Sequence, residues 1–180
     1  KGKLQIARQE LAEAERTLYA LKTRVPRWAE AQFHYGRVAL ALGKKGPGLQ
    51  ALREATVLAP THAGARRILA EVLMSDGLYD EAYKDAYNYW AAHPSDPVAL
   101  RLLVATAKQT EQPGVAREAL VKAEQGSENN PEMLMALSEG YALLGDEDKV
   151  RQFTNEAADS RPQTPDGWIA RARALRALGR

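Results

Sequence analysis

The chain has 180 residues, 45% of them hydrophobic and 27% charged, with a formal net charge of +2 and no cysteine. That composition suits a soluble, folded chain, and it excludes disulfides, thiolate chemistry and Cys-based zinc sites. The near-neutral balance argues against a nucleic-acid partner, and no apolar run reaches the roughly 20 residues needed to cross a bilayer.

A 34-residue repeat orders the sequence. Prolines stand at 26, 60, 94 and 162, with Glu128 at the skipped step. Pro97, Pro131 and Pro165 keep the same interval, as do Gly43, Gly77, Gly145 and Gly179, with Glu111 in the vacant place. Residues 1–25 begin without a signal-peptide pattern or an initiator Met, as in a processed or excised chain. They read as the tail of one helix and the whole of the next, with Ala14, Leu18 and Leu21 on the core face. Between Pro26 and Pro60, Phe33, Gly36, Val38, Leu40 and Leu42 follow helical spacing. Gly43 to Gly48 interrupts it, and Leu49, Leu52, Ala55 and Leu58 form a second helix that Pro60 ends. Each later period repeats this helix, tight turn, helix, short loop. Acidic residues at Asp80/Glu81 and Asp146–Asp148 fall at starts of second helices, where carboxylates cap free N–H groups.

The pattern resembles the tetratricopeptide (TPR) family, whose repeat reads W-x2-L-G-x2-Y, then A-x3-F, then Pro. The first full repeat places Gln32, Tyr35, Gly36, Ala39, Gly48, Leu52 and Pro60 on those positions, and the fourth places Leu134, Leu137, Ser138, Tyr141, Val150, Thr154 and Pro162. In the second, Ala86 stands where a large residue is usual and Tyr89 where a small one is usual, a volume-conserving swap. The resemblance implies an all-α fold, a right-handed superhelical solenoid of helix-turn-helix hairpins. It divides the chain into a partial repeat 1–28, full repeats 29–62, 63–96, 97–130 and 131–164, and the first helix of a truncated repeat, 165–180. Trp168, Ile169, Leu175 and Leu178 do not make a polar cap, so self-association through the truncated ends is an expectation.

Catalytic constellations are not found. His34, His62 and His93 lack ligand spacing, the Gly43–Gly48 stretch lacks the strand of a phosphate loop, and no nucleophile elbow exists. The expectation is a non-enzyme with no cofactor and no metal. The family's concave groove is lined by first helices, which here implies Phe33, Arg37, Arg67, Glu71, Met74, Arg101, Lys108, Met135 and Glu139 as partner-binding positions. Arg67 and Arg101 hold equivalent places, with Arg37 and Lys108 nearby. They read either as a basic groove for a carboxylate-bearing segment or as a solvated face offset by Glu71 and Glu139. The Lys and Asn clamp that binds chaperone tails is missing. Tyr79, Tyr83, Tyr87 and Trp90 form one aromatic stripe, read as packing between hairpins or as a sticky surface at Tyr87 and Trp90. The expected function is a scaffold that holds an extended protein or peptide segment. The alternative, from a similarity in tenor to bacterial TPR proteins of exopolysaccharide production and PEP-CTERM systems, is a periplasmic module of polysaccharide export. Bacterial cytoplasm and periplasm are both compatible.

Overall fold

A computed structural model describes the backbone of residues 2–180 and the side chains from Gln9 onward. Lys1, where the leading segment 1–28 opens, lies outside it. Among the described residues there are ten α-helices and no strand: α1 (Gly2–Arg24), α2 (Ala29–Ala41), α3 (Lys45–Leu58), α4 (Ala63–Ser75), α5 (Tyr79–Ala92), α6 (Pro97–Gln109), α7 (Pro113–Glu124), α8 (Pro131–Leu144), α9 (Glu147–Asp159) and α10 (Pro165–Ala177). The fold is all-α, and α2, α4, α6, α8 and α10 start at the 34-residue interval of the proline series.

Local chemistry sets these boundaries. Asp96, Asn130 and Thr164 stand one step apart, and their side chains accept the N–H of Val98, Met133 and Gly167 at the starts of α6, α8 and α10. Each is followed by a proline, which loses nothing there because the first helical N–H has no partner within the helix. His62 occupies the same step before α4, and its Nδ1 accepts the N–H of Ala65 at 3.2 Å. Trp28, one step earlier, makes no side-chain cap bond. First helices end on a left-handed residue. Gly43, Gly77, Gly145 and Gly179 have φ of 77°, 75°, 77° and 67°, and Glu111 fills the same role at 56°.

One segment departs from the sequence reading. Residues 2–24 form a single unbroken helix rather than the end of one helix followed by another. No glycine or proline stands between Lys3 and Val25, so nothing stops the helical hydrogen bonding there.

Paired helices meet through small residues. A Cβ at Gly36 of α2 would lie 2.8 Å from Leu52 Cγ of α3, and one at Gly48 would lie 2.8 Å from Leu40 Cγ. The equivalent positions in α6 and α7 hold Val104 and Leu120, both fully buried. In α8 and α9 they hold Ser138 and Thr154, whose hydroxyls lie 2.8 Å apart. Thr154 also donates to the Val150 carbonyl at 2.7 Å, so this buried polar pair is satisfied.

The chain divides into two compact units, one ending at Val72 and the other running from Leu73 to Arg180. In the first, Tyr35, Ala39 and Ala51 form a buried cluster against which Leu18 of α1 packs. In the second, Leu100, Leu103, Leu120, Leu134 and Leu137 are buried. There α8 approaches α7 closely at Gly140, where a Cβ would meet Leu120 Cδ2 at 2.5 Å. Ala86 and Tyr89 are both buried, in keeping with an exchange of volumes. The exchange also gives Tyr89 a polar role, since its hydroxyl donates to the Asp96 carboxylate that caps α6.

Candidate partner-binding face

In the first unit Arg37, His34 and His62 gather around the ring of Phe33. Phe33 of α2 leans onto the start of α4: a Cβ on Gly64 would sit 2.7 Å from Phe33 Cζ. The ring lies 4.5 Å from the His62 ring and 5.1 Å from that of His34, both tilted. The Arg37 guanidinium stands over the same ring, 5.4 Å from the centroid. Glu30, one turn before His34, places its carboxylate 3.6 Å from His34 Nε2 and 3.3 Å from His62 Nε2. His62 Nδ1 is occupied as an acceptor by the helix cap, so its proton sits on Nε2. That buried nitrogen is out of line for a hydrogen bond, and its contact with Glu30 is electrostatic only. On α4, Arg67 and Glu71 are exposed one turn apart, 3.8 Å between Nε and Oε1. A half-exposed ion pair of this length contributes little to stability and leaves both groups open to a ligand.

In the second unit the same helix positions are engaged differently. Arg101 Nε lies 2.5 Å from Glu139 Oε2, and its Nη2 donates to the Glu132 carbonyl at 3.4 Å. Met135 is 8% exposed. Met74 is half-buried, while Lys108 and Glu139 are exposed. In the second unit Arg101 is therefore charge-matched and Met135 packed, while Lys108 stays exposed.

The aromatic stripe of α5 is divided. Tyr87 is 43% exposed, with its ring 6.1 Å from Tyr83 and 6.2 Å from Trp90. Trp90 is only 7% exposed and is covered by the Lys122 ammonium, 5.0 Å above its ring. Its indole belongs to the packing, and Tyr87 is the part of the pair that solvent reaches.

Spacing alone gives His62 no ligand partner and does not show that Glu30 meets both imidazoles; the folded chain brings the three together. The signal for His62 was present, since it occupies the cap step shared by Asp96, Asn130 and Thr164. Among the described residues no three His, Cys, Asp or Glu side chains come together as a metal site, and no helix is long and apolar enough to cross a membrane.

These features define an all-helical repeat protein. No protein-family model and no curated protein matches the sequence. Solved structures do match. The MamA 41-end structure from Desulfovibrio magneticus RS-1 is 22% identical with a TM-score of 0.63, over 85% of this chain and 87% of that one. A tetratricopeptide repeat protein from Parabacteroides merdae is 16% identical with a TM-score of 0.68, over 97% of this chain and 69% of that one. YrrB, described as a TPR protein with an unusual peptide-binding site, is 16% identical with a TM-score of 0.61, over 90% and 84%. The chain has the tetratricopeptide-repeat fold. None of these three bears on the similarity to exopolysaccharide proteins.

Proposed function

We propose that this protein is a non-catalytic scaffold that holds a peptide or protein segment against its first-helix face, with Phe33, Arg37, Arg67 and Glu71 at the centre. The repeats 29–62, 63–96, 97–130 and 131–164 are the building blocks of that scaffold. The observation that carries the reading is the contrast along the repeat. Gln32, Gly36 and Ala39 are buried within the hairpin, while Arg37 is exposed over the half-buried Phe33 ring and Arg67 and Glu71 are exposed on the next first helix. A ring with one guanidinium over it, together with an exposed Arg–Glu pair on the next first helix, suits a segment with an apolar side chain next to an acidic one. A peptide-binding site on YrrB, a protein of the same fold, supports this class of ligand. In the second unit the equivalent Arg101 is not open in the same way, because Glu139 already neutralises it.

The polysaccharide alternative draws on groove cations and exposed aromatics, and the burial of Trp90 and the pairing of Arg101 reduce both. The test is a peptide-display selection on wild-type protein and on the Arg37→Glu/Arg67→Glu variant, with helicity checked by circular dichroism. The expected result is enrichment of acidic-apolar peptides by the wild type and at least about tenfold weaker binding by the variant, since each tenfold corresponds to about 1.4 kcal/mol. Equal enrichment by both proteins would show that the face is wrongly assigned.

A further inference from the structure

At two core positions the first full repeat departs from the others. One position is Leu69, Leu103 and Leu137 in α4, α6 and α8, each at most 1% exposed, but Tyr35 in α2, 6% exposed. The other is Leu100 and Leu134 in α6 and α8, but Gln32 in α2, 7% exposed. Burying a hydroxyl or an amide where leucine fits costs stability unless a partner satisfies it. Gln32 Nε2 donates to the Pro26 carbonyl at 3.2 Å. Its Oε1 and the Tyr35 hydroxyl have no hydrogen-bond partner among the described residues. Both side chains line a hollow of about 440 Å³ bounded by α1, α2 and α3, within the first unit.

Two opposite charges line the same hollow without meeting. Lys22 of α1 holds its ammonium over the rings of Tyr35 and Tyr19, 4.6 and 5.3 Å from their centroids. Glu54 of α3 presents an exposed carboxylate beside the Gln50 amide. Among the described residues neither Lys22 nor Glu54 has an ion-pair partner within 4.0 Å. Glu15 does not serve Lys22, because Lys44 holds it at 2.6 Å. Burial, then the charge of Glu15, raises the Tyr35 phenol above its ordinary value, so at neutral pH it stays an O–H donor. The step of Lys22 is taken in the second unit by Trp90, buried beneath Lys122, and by Glu124, paired with Lys149, so neither leaves a charge open there.

We infer that this hollow binds a small zwitterion of the α-amino-acid type, its carboxylate on Lys22 and the Tyr35 hydroxyl and its ammonium on Glu54. One such ligand answers both unpaired charges at once, which an anion or a cation alone does not. The volume is that of a small-molecule site. It leaves room for the ligand's side chain beside Tyr19, whose 55% exposed ring favours an aromatic one.

Calorimetric titration of the 180-residue chain with L-phenylalanine tests this. Two capped forms serve beside it: N-acetyl-L-phenylalanine, which lacks the ammonium, and L-phenylalanine amide, which lacks the carboxylate. The free amino acid is expected to bind at least about tenfold more tightly than either capped form. Glu54→Gln is expected to bind the free and N-acetyl forms alike, and Lys22→Met the free and amide forms alike. Absence of L-phenylalanine binding, or equal binding of all three compounds by the wild type, overturns the inference. So does a preference for the free amino acid that both substitutions leave unchanged. Circular dichroism of each variant separates loss of the site from loss of the fold. Both variants keep Phe33, Arg37, Arg67 and Glu71, so peptide capture is read independently of either result.

Discussion

Glu111 adopts φ of 56° where four other repeats of the same turn place glycine. A side chain in that region crowds its own carbonyl, at a cost of about 1–2 kcal/mol. Glycine removes the crowding but gains about 0.4–1 kcal/mol of unfolded-state freedom. Glu111→Gly is therefore expected to stabilise the protein by about 0.5–1 kcal/mol, seen as a raised denaturation midpoint with an unchanged slope; a lowered midpoint would contradict the strain argument. Tyr141 makes a second residue-scale case. Burial, then a hydrogen bond and the charge of Glu124, hold its phenol well above the ordinary value of 10.0. A raised phenol means the fold favours the neutral form. The contribution is complete below the ordinary phenol range and is lost as pH climbs past it. Thermal denaturation should find Tyr141→Phe less stable than wild type at neutral pH, with the gap narrowing above pH 10. A gap that stays constant across that range would remove Tyr141 as its source.

At the scale of elements, the helix starts act as joints between repeats. Asp96 accepts the Val98 N–H at 2.8 Å through one oxygen and the Tyr89 hydroxyl through the other. One carboxylate thus caps α6 and ties it to α5. Asp96→Ala removes a cap worth about 1 kcal/mol and also the charged acceptor of the Tyr89 hydroxyl, a hydrogen bond worth about 1.5–3 kcal/mol. Asp96→Ala should therefore cost clearly more in a Tyr89 background than in a Tyr89→Phe background, as a double-mutant cycle in urea would show. Equal costs in both backgrounds would leave the cap as the only role of Asp96. The cap at α4 is of another kind, because His62 accepts through Nδ1 and turns Nε2 toward Glu30. That choice couples a helix start to the candidate face through a single imidazole.

At the scale of the whole molecule, the large buried side chains are unevenly shared. Of the ten largest with the least exposure, Leu52 and Leu69 lie in the first unit, and Leu73, Leu100, Leu103, Leu120, Leu134, Leu137, Val104 and Thr106 lie in the second. Repeat proteins hold together through near-neighbour contacts, so local stability follows local burial. Amide hydrogen exchange is expected to be slowest in α6, α7 and α8 and fastest in α1, none of whose described apolar residues is fully buried. Uniform protection across the ten helices would mean that burial does not set local stability here. This distribution leaves the proposed face on the less consolidated unit, where a ligand has more to gain by ordering its surroundings.

Beyond α1, sequence alone determined the helices, their interval and their turns, because prolines, glycines and apolar spacing act on the backbone within a few residues. It also located the first-helix positions, since a 34-residue step carries one repeat's geometry onto the next. What it did not decide was the state of each side chain there. Phe33, Arg67, Arg101 and Met135 are equivalent in register, yet the structure wedges the first against His62, leaves the second open, pairs the third with Glu139 and buries the fourth. Those outcomes depend on partners more than 25 residues away or on packing density, and neither is written in the local pattern.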